Sequence, residues 1–151
     1  MHIEPCYGFG CYFFFSNTNF QNTNNIMVKA NELRVGNLVL VDKMIVSILE
    51  ISQDEIWCKQ FKQTTKSGII LCHLSELKPI KLIKKWLIIA GFKKIFPKGT
   101  CYMYNDFSVY NYGRLGIYFF NKTLKIESLH KLQNLYYALN NEELVFSSTE
   151  P

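Results

Sequence analysis

The pattern of hydrophobic and polar residues changes from a strand period to a helical period and back, which predicts an α+β fold. Between residues 32 and 79, short apolar runs rich in β-branched residues are separated by turn signals such as Asp42-Lys43. Such runs predict strands, here Val35–Val41, Met44–Ser52, Glu55–Gln60 and Gly68–His73. Short strands at this spacing predict a small, strongly bent sheet or a barrel, SH3-like in size.

A helical pattern follows Pro79. Apolar residues recur at helical spacing from Leu82 to Ala90, and Gly91 stands where a C-terminal helix cap is expected. Beyond it, two-residue turn signals separate further strand patterns, which predicts an antiparallel meander. The predicted strands of the meander are Thr100–Tyr104, Phe107–Tyr112, Leu115–Phe120 and Thr123–Glu127.

A second helical pattern, Leu129–Leu139, completes the predicted fold. Ser128 is suited to cap its first turn, and Asn140-Asn141 is suited to leave its last turn in a left-handed conformation. Its apolar side is expected to cover the apolar face of the meander. The predicted order is a small SH3-like β-barrel, a helix, a four-stranded antiparallel sheet and a helix.

Changes in composition divide the chain into predicted parts. The N-terminal residues are aromatic and then rich in Asn and Thr, with Glu4 as their one charged residue. They predict an extension, with disorder as one interpretation, and Met27 as the start of the domain. The predicted parts are an extension (1–26), a β-barrel-like module (27–80), a helix–sheet–helix module (81–146) and a tail (147–151).

Period-two sorting of the meander separates a predicted core face from a tyrosine-rich face. The core face collects Phe107, Val109, Leu115, Ile117, Phe119, Leu124 and Ile126. The opposite face collects Tyr102, Tyr104, Tyr110, Tyr112, Tyr118, Phe120 and Lys125. Two interpretations stay open: the tyrosines pack beneath the first module or a helix, or they form a stacking platform for single-stranded nucleic acid.

Charge narrows the choice of partner. The 151 residues carry a formal net charge of +5, and 15% of them are aromatic. The stretch Lys78–Lys98 is dense in lysine and has no acidic residue, which favours a nucleic acid or an acidic protein as partner. A plain solvated basic surface is the alternative. The candidate binding residues are Lys81, Lys84, Lys85, Lys93, Lys94, Lys98, Tyr102, Tyr104, Tyr110, Tyr112, Arg114 and Lys125.

The sequence contains no recognisable catalytic or metal-binding motif. It has no glycine-rich phosphate loop, nucleophile elbow or paired-histidine motif, so we expect no enzyme, no cofactor, no metal and no small-molecule substrate. The five cysteines lack C-x-x-C spacing, which predicts reduced, intracellular thiols rather than disulfides or a zinc site. No apolar run approaches the ~20 residues of a membrane span, so no membrane partner is expected.

Three strings of the sequence stand out together: ELRVGNLVL (32–40), LKPIKLIKKWLIIAGF (77–92) and HKLQNLYYALNNEEL (130–144). In this order and at these distances they resemble a family of small phage and prophage proteins of Bacteroidota-type bacteria. Relatives in that family typically carry Thr-Glu-Glu before the tryptophan, where this chain has Ile83, Lys84 and Lys85. The exchange of two acids for two cations indicates a role particular to this member.

The resemblance implies a phage or prophage accessory protein that acts by binding. We expect an anti-CRISPR-like inhibitor of host defence in the cytoplasm of the bacterial host cell. Its partner would be a host protein or ribonucleoprotein, such as an RNA-guided nuclease or its guide RNA, contacted through the lysine-rich surface. The alternatives are a stand-alone module that binds RNA or single-stranded DNA in phage replication or transcription, and a structural virion component.

Overall fold

A computed structural model of the protein describes residues 27–61, 68–119 and 123–146. The predicted extension, the predicted tail and Phe120 lie outside the described residues. Two antiparallel sheets with α-helices packed on them confirm the predicted α+β class. No helix formed by these residues is both long and apolar enough to cross a membrane.

The first sheet consists of strands in sequence order, β1 (Leu38–Val41), β2 (Met44–Ser52), β3 (Glu55–Gln60) and β4 (Ile69–His73). β-Branched side chains fill its buried side, where Val39 pairs with Val46. Asp42 and Lys43 both adopt positive φ, 45° and 72°, in the tight turn between β1 and β2. This turn lies where the sequence predicts it.

The first sheet is not a closed barrel, so the predicted SH3-like closure is wrong. Among the described strands, β1 pairs with β2 and not with β4. The free edge of β1 is occupied instead by the segment that follows β4, because Leu40 and Lys78 exchange two backbone hydrogen bonds of 2.9 Å each. This pairing satisfies the edge of β1, so β4 has no free edge onto which it could close.

The first helix, α1 (Lys84–Ile89), is shorter than the predicted helix Leu82–Ala90. The residues before it are extended because they pair with the chain that leads into the second helix. In this pairing the Leu82 N–H donates to the Glu127 carbonyl at 3.1 Å. Gly91 follows the helix with a φ of 84°, as expected of a glycine at a C-terminal cap.

The second sheet has five strands, β5 (Lys93–Lys94), β6 (Cys101–Tyr104), β7 (Phe107–Asn111), β8 (Ile117–Phe119) and β9 (Leu124–Ile126). The predicted four-stranded sheet lacked the edge strand β5. Leu115 is 59% exposed because it lies in a 3-10 turn, which the Gly116 N–H closes by donating to the Gly113 carbonyl (3.1 Å). Leu124 is 48% exposed. Leu124 nevertheless pairs with Phe119 on the core side, at the rim of the sheet, so its predicted face is confirmed, whereas the assignment of Leu115 to the core face is wrong.

The second helix, α2 (Leu129–Asn140), packs its apolar side on the second sheet. Leu129, Leu132 and Tyr136 are almost fully buried in the core cluster of that sheet. Asn141 follows in a left-handed conformation (φ 55°, ψ 30°), as the sequence predicts.

Helix α2 also contacts the first sheet, at a polar contact that we call the junction, formed by Arg34, Gly36, Asn37, Leu38, Gln133, Asn134 and Glu143. Gln133 is buried and accepts a hydrogen bond from the Leu38 N–H (2.8 Å) while it donates to the Gly36 carbonyl (3.0 Å). Asn134 accepts a hydrogen bond from Asn37 at 2.9 Å. Leu38 of β1 also belongs to the core cluster of the second sheet, so the two sheets pack together through α2.

Candidate nucleic-acid interface

The register of the second sheet places the predicted tyrosines on two faces rather than one. Tyr102 pairs with Val109, and Tyr104 pairs with Phe107. Because cross-strand partners share a face, both tyrosines lie on the core side. Tyr102 is 4% exposed, and the Tyr104 ring lies 5.7 Å from the ring of Tyr136. The prediction that Tyr102 and Tyr104 belong to the exposed tyrosine-rich face is therefore wrong.

The outer face keeps three of the tyrosines together, and we call Tyr110, Tyr112 and Tyr118 the tyrosine cluster. Tyr110 on β7 pairs with Tyr118 on β8. The ring centroid of Tyr112 lies 6.3 Å from that of Tyr110 and 5.7 Å from that of Tyr118. The rings of Tyr110 and Tyr112 stack with an interplanar angle of 13°. All three side chains are partly exposed, so their aromatic surface is accessible from outside.

Lysines flank the tyrosine cluster at both edges of the second sheet. Lys125 on β9 pairs with Tyr118 at one edge. At the other edge Lys93 on β5 pairs with Met103, which faces outward because its neighbour Tyr102 faces the core. The outer face therefore has aromatic rings in its middle and a cation at each edge, an arrangement suited to sequence-tolerant binding of single strands.

A cleft of about 500 Å³ lies beside the tyrosine cluster. Residues from four segments line it, within 27–32, 79–84, 111–117 and 125–131. Backbone pairing holds two of these segments together, since the Leu129 N–H donates to the Ile80 carbonyl (2.9 Å) and Lys81 forms a β-bridge with Ser128. The cleft thus depends on pairing between distant parts of the chain.

Positive charge dominates this cleft, which we call the basic cleft; its charged lining is Lys81, Lys84, Arg114, Lys125, Lys131, Glu32 and Glu127. Glu32 already contacts a cation, since its carboxylate lies 3.8 Å from Lys131 Nζ. Within the described part of the chain, no carboxylate lies within 4.0 Å of the other four cations. Repulsion among these four like charges favours an anionic occupant.

A buried histidine, His130, also lines the basic cleft and is 1% exposed. Its Nε2 lies 3.3 Å from the Ser128 hydroxyl and 3.7 Å from the Glu32 carboxylate. Burial lowers the pKa of the imidazole, against the opposing effect of Glu32, so the ring is neutral at neutral pH. Because Ser128 and Glu32 approach the same ring nitrogen, the three side chains do not form a nucleophile–base–acid relay. The Ser128 side chain also makes no helix-capping hydrogen bond, contrary to the prediction.

The tyrosine cluster and the basic cleft form one continuous surface. Lys125 belongs to both, since its strand pairs with Tyr118 and the residue lines the cleft. Asn111, the last residue of β7, lines the cleft as well. Gly116 has a φ of 108°, and a Cβ at this position would lie 3.1 Å from Lys125 Cε. The glycine therefore leaves the space through which the Lys125 side chain passes.

The described thiols and acids suggest no further chemistry. Burial, together with the neighbouring Cys72, raises the pKa of the Cys58 thiol to about 12, so this thiol stays protonated at neutral pH. The residues with described coordinates contain no group of three His, Cys, Asp or Glu suited to a metal ion. The arrangement offers anion binding by the cleft and ring stacking by the tyrosines.

The structure divides the predicted site residues into three sets, one of which, Tyr102 and Tyr104, lies on the core side of the second sheet. The continuous surface brings together Lys81, Lys84, Tyr110, Tyr112, Arg114 and Lys125. Outside the cleft lining lie Lys85, Lys93, Lys94 and Lys98. Sequence reasoning missed Glu32, Asn111, His130 and Lys131 as lining residues. Lys131 could have been included as a candidate from the sequence, because it is a cation in the first turn of the predicted last helix, three residues after Ser128.

Comparisons with protein-family models, curated proteins and solved structures find no match for this chain. The resemblance to phage and prophage proteins therefore stays a prediction. The function has to be inferred from the geometry and charge of the interface.

Proposed function

We propose that the protein acts without catalysis, by binding a single-stranded nucleic acid on the outer face of its second sheet and in the basic cleft. The observation that carries this proposal is the contact of Tyr110, Tyr112 and Tyr118 with one another beside Lys125. The tyrosine rings would stack on bases while the cations of the cleft neutralise phosphates.

The residue types favour a ligand recognised by shape and charge rather than by sequence. Each base stacked on an aromatic ring contributes about 1–3 kcal/mol, and every base offers such a face. Lysine neutralises a phosphate as a point charge, whereas arginine dominates the bidentate reading of base edges. Arg114 is the one arginine among the charged residues that line the cleft.

The host-defence role that the resemblance implies is a more specific form of this proposal. In a phage setting the bound strand would be the guide RNA of an RNA-guided nuclease, either free or exposed on the host ribonucleoprotein. The bacterial cytoplasm would then be the site of action. The rival within the same chemistry is a free RNA- or single-stranded-DNA-binding module of phage replication or transcription.

Fluorescence anisotropy with labelled oligonucleotides tests the binding proposal. We expect RNA or DNA strands of about 12 nucleotides, within the usual range of binding-site sizes, to bind with an affinity that falls steeply between about 50 and 200 mM salt. The double variant Tyr110→Ala/Tyr118→Ala should bind at least about tenfold more weakly, since tenfold corresponds to about 1.4 kcal/mol.

The matched control is Trp57→Ala, which removes an aromatic ring that is 41% exposed on the first sheet. This variant should bind as the unmodified protein does. The proposal is contradicted if the unmodified protein binds no strand at low salt, or if Trp57→Ala weakens binding as much as the tyrosine variant does.

A pull-down from host lysate separates the host-defence form from the free module. An inhibitor of a ribonucleoprotein should retain that complex, and Lys81→Glu/Lys84→Glu, which reverses two charges of the cleft lining, should lose it. A free module should bind naked strands equally well with or without lysate proteins. Equal recovery of host proteins by the unmodified protein and by this double variant would show that these two lysines are not part of the binding surface.

A further inference from the structure

We infer that the basic cleft is the site for a terminal phosphate, so that the protein prefers strands that end in a phosphate monoester over strands that end in a hydroxyl. This inference rests on the proposed binding of single-stranded nucleic acid. It assigns different tasks to the two halves of the surface, because the tyrosine cluster would hold bases while the cleft would hold the end of the strand.

The size of the cleft fits one terminal nucleotide. Its volume of about 500 Å³ lies within the ~300–1,000 Å³ typical of sites that hold one small ligand. Its lining comes from four separate segments of the chain rather than from one face of the sheet. The outer face of the sheet, by contrast, carries its aromatic rings on adjacent strands, where successive bases of a strand can stack.

The charge of the cleft fits a dianion better than an internal phosphodiester. A phosphate monoester carries a charge of about −1.5 to −2 near pH 7, whereas each backbone phosphate carries about −1. The cleft presents four cations without an acidic partner among the described residues, Lys81, Lys84, Arg114 and Lys125. A doubly charged group therefore gains more from this site than a singly charged one does.

The acidic residues of the lining do not cancel its positive charge. Glu32 faces Lys131 and His130, so the positive charge of Lys131 already offsets its negative charge. Glu127 repels an anion, and its backbone carbonyl accepts the Leu82 N–H. Five cations against these two acids leave the lining with a positive balance that favours an anion.

His130 forms part of the wall of the cleft. The residue is 1% exposed, yet its Nδ1 has no hydrogen-bond partner among the described residues. A buried polar atom without a partner is uncommon and costs about 1–3 kcal/mol. In the neutral ring the proton lies on Nε2, which faces Glu32, so Nδ1 can only accept a hydrogen bond, and the phosphate is held by the cations of the cleft rather than by this ring.

The test compares oligouridines of one sequence that differ only at their ends. We would measure the dissociation constants of 5′-phosphorylated, 3′-phosphorylated and hydroxyl-ended strands of about 12 nucleotides with the full chain. Each phosphorylated strand carries its label at the end opposite to the phosphate, and its hydroxyl-ended counterpart is labelled at the same end. One of the two phosphorylated strands should bind at least about tenfold more tightly than the hydroxyl-ended strand. The arm that shows the gain identifies the strand polarity.

Variants connect the preference to the cleft. Lys84→Gln/Arg114→Gln should abolish the preference while the hydroxyl-ended strand still binds. The matched control, Lys93→Gln/Lys98→Gln, removes two lysines outside the cleft lining and should weaken all strands by the same factor. Far-ultraviolet circular dichroism and thermal unfolding would show that each variant is folded.

Each outcome separates the inference from the proposed function. Equal affinity for all three strands overturns the terminal-phosphate site but leaves strand binding intact. A preference that survives Lys84→Gln/Arg114→Gln also overturns it, because the phosphate then lies elsewhere. If no strand binds but inorganic phosphate raises the melting temperature, the proposed function fails and the cleft is only an anion site.

Discussion

The junction and the basic cleft both gather polar side chains, but the junction pairs most of them within the fold, with Arg34 Nη1 as a buried donor that has no partner among the described residues, whereas four cations of the cleft have no acidic partner among those residues. At the junction, Gln133 bonds to two backbone groups and Asn134 bonds to Asn37. In the cleft, the described residues provide no carboxylate within 4.0 Å of Lys81 or Lys84. Polar groups that pair within the fold stabilise it, whereas a group of unpaired cations is better explained by a ligand.

The two regions should therefore respond differently to substitution. Changes at the junction should lower the free energy of unfolding and leave the binding of strands by the folded protein intact. Changes in the cleft should weaken binding and leave stability unchanged or slightly higher.

The largest effect is expected from Gln133→Leu at the junction. The substitution keeps most of the side-chain volume but removes hydrogen bonds to the Leu38 N–H and the Gly36 carbonyl. Each buried group left without a partner costs about 1–3 kcal/mol, so the free energy of unfolding should fall by about 2–4 kcal/mol. Urea unfolding measures this as a lower midpoint at an unchanged slope.

The matched control for Gln133→Leu is Lys81→Gln in the cleft. This variant should unfold within about 0.5 kcal/mol of the unmodified protein, as surface substitutions usually do, while it binds oligonucleotides more weakly. A loss below about 1 kcal/mol for Gln133→Leu would mean that the junction is less closed than its hydrogen bonds indicate.

A pH-dependent effect is expected from His130, where the two regions meet. Its pKa is lowered by burial in the folded protein, while the unfolded chain protonates near the ordinary value of 6.5. Below that pH the unfolded state binds more protons than the folded state does. The free energy of unfolding therefore has its full value above that pH and falls as the pH decreases from 7 to 5.5. The slope is at most about 1.4 kcal/mol per pH unit.

The groups that face the imidazole are Glu32, Lys131 and Ser128. Because His130→Gln removes the titrating ring, urea midpoints of this variant should depend less on pH over the same range than those of the unmodified protein. If the two proteins show equal slopes, protonation of His130 is not what couples stability to pH.

Local features of the fold could be predicted because they depend on neighbours in the sequence. Gly91 and Asn141 end helices in left-handed conformations where the sequence places them. The assignment of Tyr104 to the outer face failed although a signal was present. A two-residue turn after Tyr104 pairs it with Phe107, and paired residues share a face. Period-two counting within one strand does not show which of its residues share a face with residues of the next strand; the register across the turn is needed for that.

The basic cleft could not be predicted, because it depends on pairing between distant segments. Lys81 and Lys125 line one cleft because the segment of Lys81 bridges to Ser128. The lysine-rich stretch therefore does not act as one surface: Lys84 lines the cleft, and Lys85, next in sequence, does not. A helix turns about 100° per residue, so adjacent lysines on α1 point in different directions.

The smallest effects should have opposite signs in the two regions. Arg34→Gln removes a guanidinium that lies 3.5 Å from the Tyr137 ring centroid and 2.7 Å from the Glu143 carboxylate. The Arg34 and Glu143 side chains are 31% and 47% exposed, so solvent screening limits the loss to about 1 kcal/mol. Lys84→Gln removes a cation from the first turn of α1, where the helix dipole disfavours it, and should add a few tenths of a kcal/mol.

Urea unfolding of both variants at about 50 mM and 500 mM salt measures the two signs, because salt screens surface charges. Higher salt should shrink the gain from Lys84→Gln, since the repulsion that it relieves is already screened. It should shrink the loss from Arg34→Gln less, because contact with the Tyr137 ring does not depend on an exposed charge pair alone. If Lys84→Gln instead destabilises the protein as Arg34→Gln does, Lys84 has a structural role, and the contrast that assigns the cleft to a ligand is lost.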